Sequence, residues 1–171
     1  MNLKHILIAE DDPRDLELTM AALEEYNLAN KVFVVSDGAE ALDYLYHRGK
    51  YATRVSGNPV AVLLDLKMPK VNGIEVLKII KADEHLKTIP IVVLSSSREE
   101  PDLIECYKHG VNAFVVKPVD FSEFTNAVKQ LGVFWVAVNE PPPNHGTGRP
   151  FHLERKEVQH EITAAHPAPG G

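Results

Sequence analysis

Five short apolar runs, each followed by polar residues, constrain the fold of this chain more than any other feature. The runs are mostly rich in β-branched residues, and they span Ile6–Ala9, Val32–Val35, Ala61–Leu64, Ile91–Leu94 and Ala113–Val116. Continuous apolar runs of this kind are typical of strands that are buried on both faces of a parallel sheet. Segments with helical periodicity separate them, as crossovers between parallel strands require. We therefore predict an α/β fold in which helices flank a doubly wound, five-stranded parallel sheet.

Chemically useful side chains follow four of these predicted strands. Glu10 and Asp11 come after the first strand, Asp65 after the third, Ser95 after the fourth and Lys117 after the fifth. In doubly wound folds, ligands bind outside the carboxyl ends of the strands. The sequence therefore predicts one site that contains three carboxylates, a hydroxyl and an ammonium group.

The composition argues against several classes of protein. A net charge of −6 disfavours a nucleic-acid-binding surface, which needs an excess of basic residues. No apolar stretch approaches the ~20 residues of a membrane span, and the first strand begins too early to leave room for a signal peptide. One cysteine, Cys106, cannot form an intrachain disulfide, which fits a reducing compartment. We expect a cytoplasmic protein that binds neither nucleic acid nor membranes.

The composition changes near the end of the fifth predicted helix. Residues 1–131 contain the strand and helix patterns and are predicted to form one domain. Residues 132–171 are too few for a second domain of ordinary kind and are predicted to be a C-terminal extension. The extension begins with an apolar arm, residues 133–138, which includes Phe134 and Trp135. It continues as a tail that is rich in proline and glycine and partly flexible.

The predicted cluster of side chains suits phosphoryl chemistry. Three carboxylates held together repel one another, and a hard divalent cation such as Mg²⁺ relieves that repulsion. The hydroxyl of Ser95 could donate to one phosphoryl oxygen, and the ammonium of Lys117 could neutralise another. Asp65 could then accept the phosphoryl group as an aspartyl-phosphate. Each residue alone is commonly a cap or a solvated charge, so the joint placement carries the prediction.

Four motifs in sequence order resemble the receiver domain of two-component response regulators. They are Ile8–Asp12, Asp65–Gly73, Ser95–Ser96 and Lys117–Pro118. Asp65 precedes Ser95 by 30 positions and Ser95 precedes Lys117 by 22, which is the receiver spacing. The resemblance covers residues 3–131 and implies the flavodoxin-like receiver fold.

The resemblance also implies a role for each matching residue. It makes Asp65 the phosphoacceptor, and it assigns Mg²⁺ to Glu10, Asp11, Asp65 and the backbone carbonyl of Lys67. The residues that it implies for phosphoryl binding and switching are Ser95, Ser96, Lys117 and Phe114. It further implies a cis peptide bond between Lys117 and Pro118. Ser95 stands where threonine is commoner and keeps the hydroxyl, whereas Phe114 stands where tyrosine is common and lacks the phenol.

Three features resemble the small response regulators that are paired with bacterial and cyanobacterial phytochromes. These are a long connection at residues 48–59, a receiver without a DNA-binding domain, and a tail that begins with Phe134 and Trp135. The resemblance implies a single-domain response regulator, not an enzyme, that takes a phosphoryl group from a sensor histidine kinase of phytochrome type. Such a protein signals by conformational change or by passing the phosphoryl group on.

Two other functions stay open on the residues alone. Phosphatases of the haloacid dehalogenase type also form an aspartyl-phosphate with Mg²⁺, but their motif needs a second aspartate where this chain has Lys67. A phosphorylation-independent binding module would want a phosphate-cradling loop after the first strand. At that position Glu10 and Asp11 would repel an anion instead.

A homodimer is also predicted. Receivers commonly pair through the face formed by the fourth helix, the fifth strand and the fifth helix, and the arm at residues 133–138 is too apolar to be left in water. The proline run after Glu140 favours an extended arm that reaches a two-fold mate. The alternative is an arm that folds back on its own domain.

Overall fold

The computed structural model describes residues 4–55, 57–118 and 120–142, and these residues contain one five-stranded parallel sheet. Its strands are β1 (Ile6–Ala9), β2 (Val32–Val35), β3 (Ala61–Leu64), β4 (Ile91–Ser95) and β5 (Ala113–Val116). They lie in the order β2-β1-β3-β4-β5, and every pair is parallel. The predicted α/β fold is therefore confirmed. Most of the tail that was predicted to be partly flexible, namely residues 143–171, lies outside the described residues.

Five α-helices follow the strands. They are α1 (Pro13–Glu24), α2 (Gly38–Leu45), α3 (Gly73–Ala82), α4 (Glu100–Lys108) and α5 (Phe121–Val133). Four of them begin after a residue whose side-chain oxygen accepts a hydrogen bond from the first turn, namely Asp12, Asp37, Asn72 and Asp120. Within the described part of the chain, none of the helices has the length and apolar character needed to cross a membrane.

Both faces of the sheet are covered by helices. In β1, Leu7 and Ala9 belong to the core shared with α2, α3 and α4, whereas Ile6 and Ile8 belong to the core shared with α1 and α5. Strands β1, β3 and β4 are buried along their whole length. Strands β2 and β5 keep partly exposed residues, because each is an edge strand with one neighbour. The prediction that all five strands are buried on both faces is therefore confirmed for β1, β3 and β4 and wrong for the edge strands β2 and β5.

The register of the sheet places the ends of β1 and β3 side by side. Ala9 lies opposite Leu64, and the amide of Asp65 donates to the carbonyl of Ala9 at 3.0 Å. The start of α3 presses against the same turn, since a Cβ on Gly73 would lie 2.2 Å from the carbonyl oxygen of Asp65. The residue after each strand is thus held at one edge of the sheet.

The connection at residues 48–59 packs against the β2 edge. The ring of Tyr51 is 5.7 Å from that of Phe33 in β2, and both rings contact Tyr44 of α2. The guanidinium of Arg54 lies 4.1 Å from the centre of the Tyr44 ring. The long connection therefore extends the core at this edge.

The apolar arm is helical, and the prediction that it extends away from the domain is wrong for this structure. Residues Phe134–Val138 continue α5 as one turn of π-helix, closed by a 2.7 Å bond from the amide of Asn139 to the carbonyl of Phe134. Val136 is buried and Trp135 is partly buried against the core under α1 and α5. The prolines begin only at Pro141, so they stop the helix after the arm instead of stiffening the arm itself. Phe134 and Val138 remain exposed.

Candidate functional site

The acidic residues that follow β1 and β3 meet at one edge of the sheet, as predicted. Glu10 and Asp65 are buried, with 5% and 7% of their surface exposed, whereas Asp11 is exposed. One carboxylate oxygen from each of the three residues lies within 4.8 Å of the others. The acidic cluster forms because β1 and β3 are neighbouring parallel strands that end at the same level.

The two buried acids of this cluster are short of positive charge. Burial raises the pKa of Asp65 and the charge of Asp11 adds to this, although Lys117 and the backbone amide of Leu66 act in the opposite direction. Burial likewise raises the pKa of Glu10, and the bond from Lys117 offsets this only in part. An added cation would therefore stabilise both carboxylates in their charged form.

Among the residues that the structure describes, Lys117 brings a positive charge into the acidic cluster. Its side chain is 7% exposed, and its Nζ lies 2.7 Å from Glu10 Oε2, 2.6 Å from Asp15 Oδ2 and 3.6 Å from Asp65 Oδ1. Burial acts to lower the pKa of Lys117, but the bonds to Asp15 and Glu10 outweigh it and raise the pKa. The lysine is therefore charged, and its ammonium is bound closely by Glu10 and Asp15 and less closely by Asp65.

Asp15 is a site residue that the sequence analysis did not identify. It lies in the first turn of α1, where its amide donates to Asp12 Oδ1 at 3.2 Å. The available signal was the helix start at Asp12 and Pro13, since the third residue after an N-cap lies in the first helical turn. The sequence did not show that this turn packs beside Lys117, which lies 102 positions later in the chain.

The donor set of the cluster fits a hard divalent cation. Carboxylate oxygens are the ligands that such ions prefer, and three carboxylates are present. Asp11 is the exposed member. Both oxygens of Glu10 already accept hydrogen bonds, Oε1 from the amide of Asp12 at 3.0 Å and Oε2 from Lys117. Lys67 lies in the turn after β3 with an exposed side chain, and the role of its carbonyl stays a prediction.

The hydroxyl predicted at the end of β4 lies on the same edge of the sheet. Ser95 is fully buried, and its Oγ accepts a hydrogen bond from the amide of Ser97 at 3.2 Å. Ser97 in turn donates from its own Oγ to Asp102 of α4 at 2.6 Å. Ser96 is exposed, and its predicted contact with a phosphoryl group stays a prediction. The structure thus links Ser95 to α4 through Ser97.

Phe114 lies in β5 opposite Val93 of β4. Its ring is partly buried, packs against the core under α2, α3 and α4, and lines a cavity of about 650 Å³. Leu103 of α4 and Glu123 of α5 line the same cavity. Phe114, the residue predicted to be the aromatic switch, therefore belongs to the face formed by α4, β5 and α5.

The predicted cis peptide bond between Lys117 and Pro118 is wrong for this structure, which has no cis bond among its described residues. The trans form is favoured by ~0.5–1 kcal/mol in X–Pro bonds generally. Lys117 reaches Glu10 and Asp15 with the bond in the trans form.

Residues 6–129 match the sequence model of the response regulator receiver domain. The chain is 38% identical to the probable methanogenesis regulatory protein FilR2 of Methanothrix harundinacea, over 80% of this chain and 86% of FilR2. It is 35% identical to the response regulator Rcp1 of a Synechocystis species, over 78% of this chain and 89% of Rcp1.

Two solved structures show the same likeness. The Mn²⁺-bound form of Rcp1 is 34% identical with a TM-score of 0.75, and the match covers 81% of this chain and 99% of that one. The bacteriophytochrome response regulator AtBRR is 58% identical with a TM-score of 0.66, and the match covers 82% of this chain and all of AtBRR. By fold, motif order and relatives, this chain belongs to the response regulator receiver family, whose members are the phosphoacceptors of two-component signalling.

Proposed function

We propose that this chain accepts a phosphoryl group on Asp65 from a sensor histidine kinase of the phytochrome type. The observation that carries the proposal is the environment of Asp65, which is buried at the end of β3 with two further carboxylates and the Lys117 ammonium around it. The likeness to a bacteriophytochrome response regulator supports the choice of kinase.

In the proposed transfer, a carboxylate oxygen of Asp65 forms a bond to the phosphorus of a phosphohistidine. The P–N bond breaks, and its electron pair returns to the imidazole nitrogen of the kinase. Lys117 Nζ lies 3.6 Å from Asp65 Oδ1, and a shift toward Asp65 would let it pair with an oxygen of the new phosphoryl group. Ser95 lies at the end of β4, which is next to β3 in the sheet. It would donate to another oxygen of the phosphoryl group, with Ser96 as a further contact.

The proposal includes Mg²⁺, held by Glu10, Asp11, Asp65 and the backbone carbonyl of Lys67. When bound, Mg²⁺ supplies positive charge that offsets the charge of the phosphoryl group. The Mn²⁺-bound structure of Rcp1 supports a divalent cation in this class of site. Of the side chains, Asp11 is the most open to a cation, whereas Glu10 would have to exchange one of its two hydrogen bonds.

We propose that the phosphorylated state is read out at the face formed by α4, β5 and α5. Movement of the Ser95 hydroxyl toward a phosphoryl oxygen would weaken its bond from the Ser97 amide, and Ser97 is bonded to Asp102 of α4. Phe114 and Leu103 line the adjoining cavity, which gives the ring room to change position. The output is a change of shape or onward transfer of the phosphoryl group, and no separate substrate is turned over.

Phosphotransfer from an autophosphorylated, radiolabelled bacteriophytochrome kinase tests this function. We expect rapid transfer of label to the full chain and none to Asp65→Asn, with slower transfer from a histidine kinase of a non-photoreceptor system. Equal labelling of the parent protein and Asp65→Asn would refute the acceptor. Faster transfer from the unrelated kinase would refute the pairing.

We also propose a homodimer that buries exposed apolar residues of the C-terminal arm and of the face formed by α4, β5 and α5. Phe134 and Val138 are 47% and 63% exposed beside an apolar groove that Tyr26, in the turn after α1, also lines. On α4, Ile104 and Tyr107 are more than half exposed. Because the arm is helical, the second copy would pack along the outer side of α5 and not receive an extended strand.

Light scattering on the full chain tests the dimer. Phe134→Asp should give a monomer at concentrations where the parent protein is dimeric. The matched control is Val55→Asp, since Val55 is 93% exposed in the connection after α2, away from the arm. A monomeric parent protein, or dissociation by both variants alike, would contradict the proposed interface.

A further inference from the structure

Asp15 contributes the shortest contact that Lys117 makes in the acidic cluster. The 2.6 Å distance from Nζ to Asp15 Oδ2 is a charge-assisted hydrogen bond, as is the 2.7 Å contact with Glu10. The 3.6 Å separation from Asp65 Oδ1 is beyond hydrogen-bond range. In this structure, therefore, the lysine is held mainly by two residues that are not the phosphoacceptor.

The chain holds Asp15 firmly at this position. Its amide donates to Asp12 Oδ1 at 3.2 Å, and its carbonyl accepts from Thr19 Oγ1 at 2.7 Å. Its side chain is 34% exposed, so it is partly shielded from water. A carboxylate in the first turn of a helix is also stabilised by the helix dipole. The backbone of Asp15 is therefore fixed in the first turn of α1, and this places its carboxylate beside Lys117.

We propose that Asp15 is a positioning residue that holds the Lys117 ammonium beside Glu10 and away from Asp65 while Asp65 is unphosphorylated. To contact a phosphoryl oxygen on Asp65, Lys117 must then lengthen or give up its bond to Asp15. Asp15 thereby sets how readily the phosphorylated arrangement forms. This inference rests on the proposed phosphorylation of Asp65 and adds a residue outside the acid, hydroxyl and lysine set.

Binding of fluoroberyllate, a phosphoryl mimic, tests the direction of the effect. In the full chain with Mg²⁺, Asp15→Asn should bind fluoroberyllate about threefold to tenfold more tightly, because a competing charge-assisted bond to Lys117 is removed. Titration calorimetry gives the affinities. The control is Glu17→Gln, which removes the same charge from an exposed position on α1 and should change the affinity less than twofold. Unchanged or weaker binding by Asp15→Asn, or an equal gain in Glu17→Gln, would overturn the proposal.

A crystal structure of unphosphorylated Asp15→Asn provides a readout that does not depend on phosphoryl chemistry. We expect Lys117 Nζ to move into hydrogen-bond distance of Asp65 Oδ1. An ammonium that stays at its present 3.6 Å would show that Asp15 does not hold it back. If the parent protein shows no fluoroberyllate binding that depends on Asp65, the proposed function fails. The crystal structure of Asp15→Asn would still decide whether Asp15 holds Lys117 away from Asp65.

Discussion

Two groups of carboxylates lie at the carboxyl ends of neighbouring strands in this protein, and they are held in opposite electrostatic states. One group follows β2 and consists of Asp37 and Glu40. The other follows β1 and β3 and includes Glu10 and Asp65. All four residues are largely shielded from solvent, so burial alone does not explain why the first pair is stabilised as anions and the second pair is not.

The carboxylates of Glu40 and Asp37 accept several hydrogen bonds from neighbouring groups. Glu40 accepts hydrogen bonds from the amide and hydroxyl of Ser36 and from the hydroxyl of Tyr51, and it pairs with Lys50. Burial acts to raise the pKa of Glu40, but the bonds from Lys50, Ser36 and Tyr51 outweigh it and lower the pKa to about 2. Burial also opposes ionisation of Asp37, yet the bond from Lys70 at 2.7 Å and the amide of Glu40 lower its pKa.

The second group shares one lysine. Lys117 is divided among Glu10, Asp15 and Asp65, so the pKa values of Glu10 and Asp65 stay above their ordinary range because burial dominates. The first group is a completed network that fastens the connection after α2 to the sheet. In the second group burial outweighs the shared lysine, so an added divalent cation would stabilise these carboxylates.

The largest expected difference between the groups is in metal binding. Asp11→Ala should weaken Mg²⁺ binding by on the order of 100-fold, because the exposed carboxylate of the cluster is lost. Glu40→Gln should leave the affinity within twofold, since its carboxylate is already occupied by donors of the protein. Titration calorimetry with MgCl₂ measures both. A comparable loss in the two variants would show that the groups do not differ in this way.

The next largest effect concerns stability. Glu40→Gln should lower the free energy of unfolding at pH 7 by about 1–2 kcal/mol, because the donors on Ser36 and Tyr51 lose a charged acceptor. The folded pKa of Glu40 is about 2, below its ordinary 4.5, so this stabilisation is present above pH 4.5 and lost as the pH falls toward 2. Urea unfolding of parent and variant across that range measures the difference. A gap that widens on acidification would contradict the assignment.

The smallest expected effect has the opposite sign. Without metal, Asp65→Asn should raise the free energy of unfolding at pH 7 by about 1 kcal/mol, the size of one like-charge contact at ~4 Å in water. The folded pKa of Asp65 is raised, so its charge destabilises the folded protein at neutral pH, and the gain should fade toward pH 3.8. Urea unfolding in EDTA checks this. A less stable variant at pH 7 would mean that Asp65 is already well compensated.

Much of the site could be predicted because it depends on the ends of strands. Glu10 and Asp65 directly follow parallel strands, so they come together once β1 and β3 are neighbours in the sheet. Asp15 could not be found in this way, because its contact with Lys117 depends on how α1 is rotated against the far end of the domain. The bond from Ser97 to Asp102 depends in the same way on the orientation of α4.

The C-terminal arm shows a different limit of sequence reasoning. A run of apolar residues does not specify whether it stays helical, and the prolines that suggested an extended arm come after the helix has ended. Val136 faces the core while Phe134 faces outward, so the run is divided between two environments. The exposure of β2 and β5 likewise depends on strand order, which the apolar runs themselves do not encode.

Asp65, in the group short of positive charge, is the residue that we expect to take the phosphoryl group. Incubating the full chain with acetyl phosphate and Mg²⁺, followed by mass spectrometry of its peptides, tests this most directly. We expect one base-labile phosphoryl group on the peptide that contains Asp65, absent in Asp65→Asn and kept in Asp37→Asn. Labelling that persists in Asp65→Asn, or that maps to Asp37 or Glu40, would contradict it.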